Sequence, residues 1–311
     1  MSARGISSPS NVATLFGVTL GVSLIICGEE VCLRFNGHCV KGVFEASIKV
    51  RVRKKLERQE KSYETTQLMK EKRSEEYDAL EEVFDRPTLM TVYGLMNRGE
   101  IQEIHGAVKA GKESKLYWGT RSNGETIAIK IFLTLSAEFR KGMLMYISGD
   151  PRFTHIKRDP RSIIYTWARK EYRNLSEAYA AKVRVPQPFT VENNVLIMEF
   201  IGKSGKSAPL LRETELQNPQ RTYGKLLKYV ERLYKKARLV HGDLSEYNVM
   251  IWKGEPVVFD MSQAVNVKHP NALKLLERDL GNLNRYFNRI GVDVTSTERT
   301  FRRITGVTAV R

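Results

Sequence analysis

The stretch His241-Gly242-Asp243-Leu244-Ser245-Glu246-Tyr247-Asn248 decides the reading of this chain. Its aspartate and asparagine stand five residues apart and match H-x-D-x-x-x-x-N. In such a loop the aspartate orients a nucleophile and accepts its proton, while the asparagine amide oxygen holds a metal on phosphates. Twelve residues after Asn248, the apolar run Val257-Val258-Phe259 ends in Asp260. An acid at the end of a buried strand, facing a cleft, suits a second metal ligand such as Mg²⁺.

Upstream, Lys130 lies in Ile127-Ala128-Ile129-Lys130-Ile131-Phe132. Strand alternation puts the isoleucines on one face and Ala128, Lys130 and Phe132 on the other. A lysine there needs a partner, and an Ala-x-Lys on a third strand is where phosphates are gripped. Glu171 supplies the partner. On a helix over 163–183 it shares a face with Trp167, Leu175 and Ala178, so it points inward, with Glu177 the second choice. A buried carboxylate is costly unless paired. Ala110-Gly111-Lys112-Glu113-Ser114 forms the turn between the first two strands, where Lys112, Ser114 and backbone N–H groups can cover phosphates. It is no Walker A loop, because strand follows it.

The chain has 311 residues, 51 Lys+Arg against 35 Asp+Glu, and net charge +16, which favours a polyanionic partner. A 41% hydrophobic share excludes wholesale disorder. The cysteines Cys27, Cys32 and Cys39 are too few for a disulfide scaffold and fit a reducing, cytoplasmic setting. Residues 12–27 are apolar and uncharged but short for a transmembrane helix of roughly 20 residues. Three readings stay open for them: a membrane anchor, a cleaved leader, or neither, the last favoured.

The spacing predicts these pieces: an apolar extension over 1–47, a charged helical segment over 48–87, a β-rich lobe over 88–201, a helical lobe over 202–290 and a basic tail over 291–311. Strands are expected at 101–108, 115–120, 126–132, 188–191, 195–200, 249–252 and 257–260, with an Asn123-Gly124 hairpin turn. Helices are expected at 89–99, 163–183, 222–237 and 271–289. Residues 134–161 read as a long flexible loop. The fold class is thus α+β, with a cleft between two lobes as the default place for a site.

Ordinary protein kinases differ from this pattern. Asp260-Met261-Ser262 stands where D-F-G would, and 51 residues follow Asp260 without an A-P-E. An activation segment and the large helical substrate platform do not fit.

With AGKESKLYWG, IAIKIF, WARKEYRNL, LVHGDLSEYNVM and VVFDMSQAV in order, the chain resembles the atypical RIO protein kinases, and YISGDPRFTHIKRDPRSIIYTWARKE resembles their type-1 members. The resemblance covers roughly residues 85–290. It implies a two-lobed kinase-like fold with a truncated C-lobe lacking an activation segment. It also implies ATP with Mg²⁺ or Mn²⁺, serine autophosphorylation, ATPase turnover through an aspartyl-phosphate, and a role in small ribosomal subunit maturation on rRNA. On this resemblance Lys130 grips phosphates, Asp243 is the acid/base, and Asn248 and Asp260 bind metal, with Asp260 the phospho-acceptor. The backbone of Glu199 and Ile201, after Met198, matches the adenine hinge. Two other readings remain: an aminoglycoside-type small-molecule phosphotransferase, which also uses H-G-D-x-x-x-x-N, and a non-catalytic ATP-binding assembly scaffold.

Overall fold

The computed structural model describes residues 23–27, 30–35, 38–40, 84–111, 113–133, 137–153, 157 and 159–307. The chain divides into two compact units, 1–77 and 78–311. In the first, strands β1 (Ser23–Cys27), β2 (Glu30–Phe35) and β3 (His38–Val40) pair antiparallel in that order. The apolar stretch 12–27 therefore ends in a strand, and its earlier residues lie outside the described ones. Among the described residues no helix is long and apolar enough to cross a membrane. Most of the expected charged segment 48–87 also lies outside the described residues, which resume at residue 84.

The second unit opens with α1 (Arg86–Asn97), capped by Asp85, whose side chain accepts from the Thr88 N–H. A five-stranded antiparallel sheet follows. It is built from β4 (Glu103–Ala110), β5 (Ser114–Thr120), β6 (Thr126–Phe132), β7 (Pro188–Glu192) and β8 (Val195–Glu199), in the order β4-β5-β6-β8-β7. Asn123-Gly124 turns the chain between β5 and β6: Gly124 has φ +79, and the Asn123 side chain accepts from the Glu125 N–H at 3.0 Å. Ile127, Ile129 and Ile131 are fully buried on β6, and Ala128 and Phe132 are buried as well, so both faces of this central strand are covered.

The expected loop 134–161 is corrected by the structure. It contains α2 (Ala137–Ile147), and α3 (Pro160–Ala180) begins before the loop was expected to end. Met143 and Ile147 are buried against the core, four residues apart on one helical face, and that burial holds a segment too basic to show periodicity. Asp159 caps α3 and Pro160 occupies its first turn, which fixes the early start.

The helical lobe begins after the short hairpin β9 (Gly202–Lys203) and β10 (Lys206–Ser207). It contains α4 (Pro219–Arg232), which runs into a π-helical turn at Leu233–Ala237, β11 (Leu239–Val240), and the hairpin β12 (Val249–Trp252) and β13 (Glu255–Val258). It closes with β14 (Val265–Asn266), which pairs with β11, α5 (Ala272–Arg289) and α6 (Thr297–Thr305). β13 starts at Glu255 because Lys253 and Gly254 both take left-handed backbone and make the turn with two residues. The expected basic tail is likewise corrected. Ser296 caps α6, and Phe301 and Ile304 are buried, so an amphipathic face hidden among arginines docks the segment.

Candidate active site

The loop 241–248 joins β11 to β12 and is tied down from several sides. Buried His241 contacts the Phe259 carbonyl through Nε2 at 3.1 Å, and its Nδ1 accepts from the Asp243 N–H at 3.3 Å. Burial holds this imidazole below the usual histidine value, and so neutral. Gly242 has φ +80, and a Cβ there would come within 3.1 Å of the Gln263 carbonyl, so the turn requires glycine. The Asn248 amide donates to the Asp243 carbonyl at 2.7 Å and to its Oδ2 at 3.0 Å. That leaves the Asn248 amide oxygen as the acceptor for a cation.

Two buried groups, one at this loop and one at the turn after Asp260, escape sequence reasoning. Asp279, buried on α5, accepts the Gly242 and Leu244 N–H bonds, each at 2.8 Å. It thereby grips the backbone on both sides of Asp243. Burial pushes its carboxyl up to about 7. Lys170 is fully buried and donates to the carbonyls of Ser262, at 2.8 Å, and Ala264. Beside it, the Asn174 amide donates to Met261 O at 2.7 Å and Ala264 O at 2.9 Å. Together they pin the turn after Asp260, whose own backbone is left-handed at φ 58. A non-glycine residue there is strained and persists because its surroundings determine it.

Lys130 and Glu171 meet as the sequence predicts. The Lys130 Nζ lies 2.9 and 2.7 Å from the two Glu171 oxygens and 3.1 Å from Asp260 Oδ1. Desolvation alone would lower the lysine, but Asp260 and Glu171 outweigh it and hold Lys130 above its usual value, charged. Burial pushes the Glu171 carboxyl up, opposed by Lys130. Desolvation also works against ionised Asp260, yet Lys130 and the Ser262 hydroxyl, 2.9 Å away, hold it below the usual range. Asp260 remains 43% exposed, so it faces the open cleft. The runner-up Glu177 instead pairs with Arg152 and Arg173.

These groups line one cavity of about 300 Å³. Ser114, Lys130, Glu171 and Asp260 are on its wall, with Leu116, Leu175, Met198 and Phe259 as apolar surfaces. Glu113 is a further wall residue that sequence reasoning missed; burial and nearby Asp260 push its carboxyl up. Lys112 lies outside the described residues. Met198 reaches the wall, while Glu199 and Ile201 do not line it. The Glu199 carboxylate turns to Arg184, at 2.6 and 2.7 Å, and Ile201 is buried.

The cleft fits a nucleotide with Mg²⁺. Mg²⁺ asks a protein for one or two oxygen ligands and takes the rest from phosphates and water, and Asn248 and Asp260 offer such oxygens. Among the described residues no cluster of three or more His, Cys, Asp or Glu could hold a metal.

Comparison with known proteins agrees with this geometry. Residues 115–300, more than half of the chain, match the family model described as RIO1, RIO domain. The RIO-type serine/threonine-protein kinase Rio1 of Haloferax volcanii is 40% identical over 225 residues, covering 72% of this chain and 77% of that protein. The human serine/threonine-protein kinase RIO1 is 39% identical over 230 residues, covering 73% of this chain and 40% of its own length. The Rio2 kinase of Chaetomium thermophilum, solved as an ADP/Mg²⁺-phosphoaspartate complex, superposes with a TM-score of 0.54 at 20% identity, covering 71% of this chain and 67% of that one. That superposition supports the two-lobed fold. Only residues 261–271 separate Asp260 from α5, which leaves no activation segment between them. The order of motifs, the cleft they build and these matches converge: the chain belongs to the RIO family of serine/threonine-protein kinases.

Proposed function

We propose that the cleft binds ATP with Mg²⁺ and transfers the γ-phosphoryl group to a serine hydroxyl, the chain's own included, or through Asp260 to water. The observation that carries this reading is the Lys130 ammonium, held between Glu171 and Asp260 on the wall of one cavity. Phosphoryl transfer depends on positioning and electrostatics, and these side chains supply both.

In this reading Lys130, fixed by Glu171, meets the α/β-phosphates, with Lys112, Ser114 and the backbone of the 110–114 turn above them. The backbone of Glu199 and Ile201 holds adenine beyond Met198. Asn248 and Asp260 hold the metal, which when bound neutralises phosphate charge. Asp243 orients the acceptor hydroxyl and takes its proton as the new P–O bond forms and the bond to ADP breaks. In the hydrolytic branch an Asp260 oxygen attacks phosphorus and ADP leaves. Water then attacks the acyl phosphate, loses a proton to Asp243, and releases inorganic phosphate with Asp260 restored. The net charge of +16 suits docking on rRNA, and with the family resemblance it supports a cytoplasmic role in small ribosomal subunit maturation.

The test is incubation with γ-labelled ATP and Mg²⁺, followed by hydroxylamine. Hydroxylamine-labile label that disappears in Asp260→Asn supports the aspartyl-phosphate branch, and stable serine label supports the kinase branch. Asp243→Ala should bind ATP but lose transfer; wild-type transfer by that variant would refute the assignment.

A further inference from the structure

A second cavity, of about 630 Å³, opens between α2 and α5. Lys274, Arg278, Gly281, Asn282 and Arg285 lie on its α5 side, with spacings of three and four that put them on one helical face. Met145 and Tyr146 of α2 face them. Lys274, Arg278 and Arg285 are exposed, and among the described residues none of them forms an ion pair. Among the described residues, Glu277 is the one acid on the wall. The other side of α5 carries Leu276, Leu280, Leu283 and Phe287 into the core, so the Lys274 and Arg285 charges are not needed for core packing.

Two more features shape the groove. Gly281 sits mid-helix on its wall, and a Cβ there would meet nothing within 4 Å, so the space above it is open. Met145 is 57% exposed, although large apolar side chains are mostly covered elsewhere in the lobe.

The groove also touches the catalytic loop. The Arg278 guanidinium donates to the Gly242 carbonyl, and the Asn282 amide donates to the Leu244 carbonyl at 3.1 Å. These are the carbonyls on either side of Asp243.

We propose that this groove docks an acidic polypeptide segment and presents its serine to Asp243 as the phosphoryl acceptor, a proposal that rests on the phosphotransfer reading above. Carboxylates meet Lys274 and Arg285, and an apolar side chain lies on Met145 and Leu275. A single-stranded nucleic acid would want open rings for base stacking. Among the described residues on its wall, Tyr146 is half-buried and packs towards Trp167, with ring centroids 6.2 Å apart, and His269 is buried, so the groove offers mainly carbon and cations and little open ring. In the transfer step the serine oxygen forms its bond to the γ-phosphorus of ATP, the bond to ADP breaks, and the hydroxyl proton passes to Asp243.

The probe is a fluorescein-labelled peptide with a central serine flanked by glutamates and leucines, compared with versions carrying glutamine or lysine instead. Fluorescence anisotropy should show the wild type favouring the glutamate peptide. Reversing two rim charges, in Lys274→Glu with Arg285→Glu, should weaken its binding about tenfold or more. The same variant should gain affinity for the lysine peptide, while its ATP turnover without peptide and its melting midpoint stay at wild-type values. Gly281→Leu, whose Cβ meets nothing within 4 Å and whose side chain would project into the groove, should weaken all three peptides. Unchanged binding of the glutamate peptide by these variants would overturn the proposal. So would an oligouridylate that binds more tightly than the peptide and is lost in the same variant, which would assign the groove to nucleic acid. Absence of ATP turnover in the wild type would sink the phosphotransfer reading, whereas the anisotropy comparison tests the groove itself.

Discussion

Replacing Lys130 with methionine measures how much the fold depends on the buried Lys130–Glu171 ion pair. Methionine keeps the length of the side chain and removes its charge. Glu171 is 1% exposed and would lose the ammonium 2.7 Å away. Removing one partner of a buried pair costs about 3–5 kcal/mol, because the remaining charge is uncompensated. At roughly 2–4 °C per kcal/mol for a domain of this size, the midpoint should fall by roughly 6–20 °C. The sign of the pH dependence follows from burial. The folded pKa of Glu171 is raised from 4.5 towards about 7, so its proton is held more tightly in the fold than in the unfolded chain. Stability from this group is therefore complete below about 4.5 and is lost as pH rises through about 7. Lys130 is raised above 10.5, so in the wild type its own contribution persists through neutral pH. The Lys130→Met defect should then be larger at pH 8 than at pH 5. Adding Glu171→Leu removes the stranded carboxylate and should restore stability to within about 1–2 kcal/mol of wild type while transfer stays abolished. Urea unfolding of the wild type, both singles and the double at the two pH values gives the coupling directly. A Lys130→Met defect below about 1 kcal/mol at pH 8, or a double variant no more stable than that single, would refute the reasoning.

Phe301→Ala should cost about 3–5 kcal/mol, since Phe301 is fully buried; a midpoint within a degree of wild type would mean that α6 adds nothing to the lobe. Gly119→Ala should cost about 1–3 kcal/mol of stability, read as a lower urea midpoint, because a Cβ there would lie 2.3 Å from the Glu103 carbonyl of the neighbouring strand. An unchanged midpoint for Gly119→Ala would show that β4 and β5 can part without cost.

The site was legible in the sequence where chemistry is local. Asp243 and Asn248 share one tight loop, and Asp260 closes one apolar run, so their spacing survives folding. Glu171 was found because a carboxylate on a buried helical face has to meet a cation, and Lys130 does meet it. Asp279 escaped detection although it lies beside Leu276 and Leu280, because its partners are backbone N–H groups that no side-chain pattern advertises. Lys170 was hidden for the same reason: a basic residue on a helix reads as solvated until its carbonyl partners are seen. α2 was missed because it lies inside a polar, poorly periodic stretch, and α6 because its buried positions stand among three arginines; in both, tertiary contact outweighs weak local periodicity.

The Lys130–Asp260 contact has a consequence for the order of binding. The ammonium faces the carboxylate on which the proposed metal reading depends. On the proposed reading, a divalent cation arriving alone at Asp260 meets the Lys130 ammonium, a like charge 3.1 Å from that carboxylate. Phosphates arriving with the cation would draw Lys130 towards themselves and free Asp260, while Glu171 keeps the lysine in place. The two charges would then act as an interlock that favours the metal–nucleotide pair over bare metal.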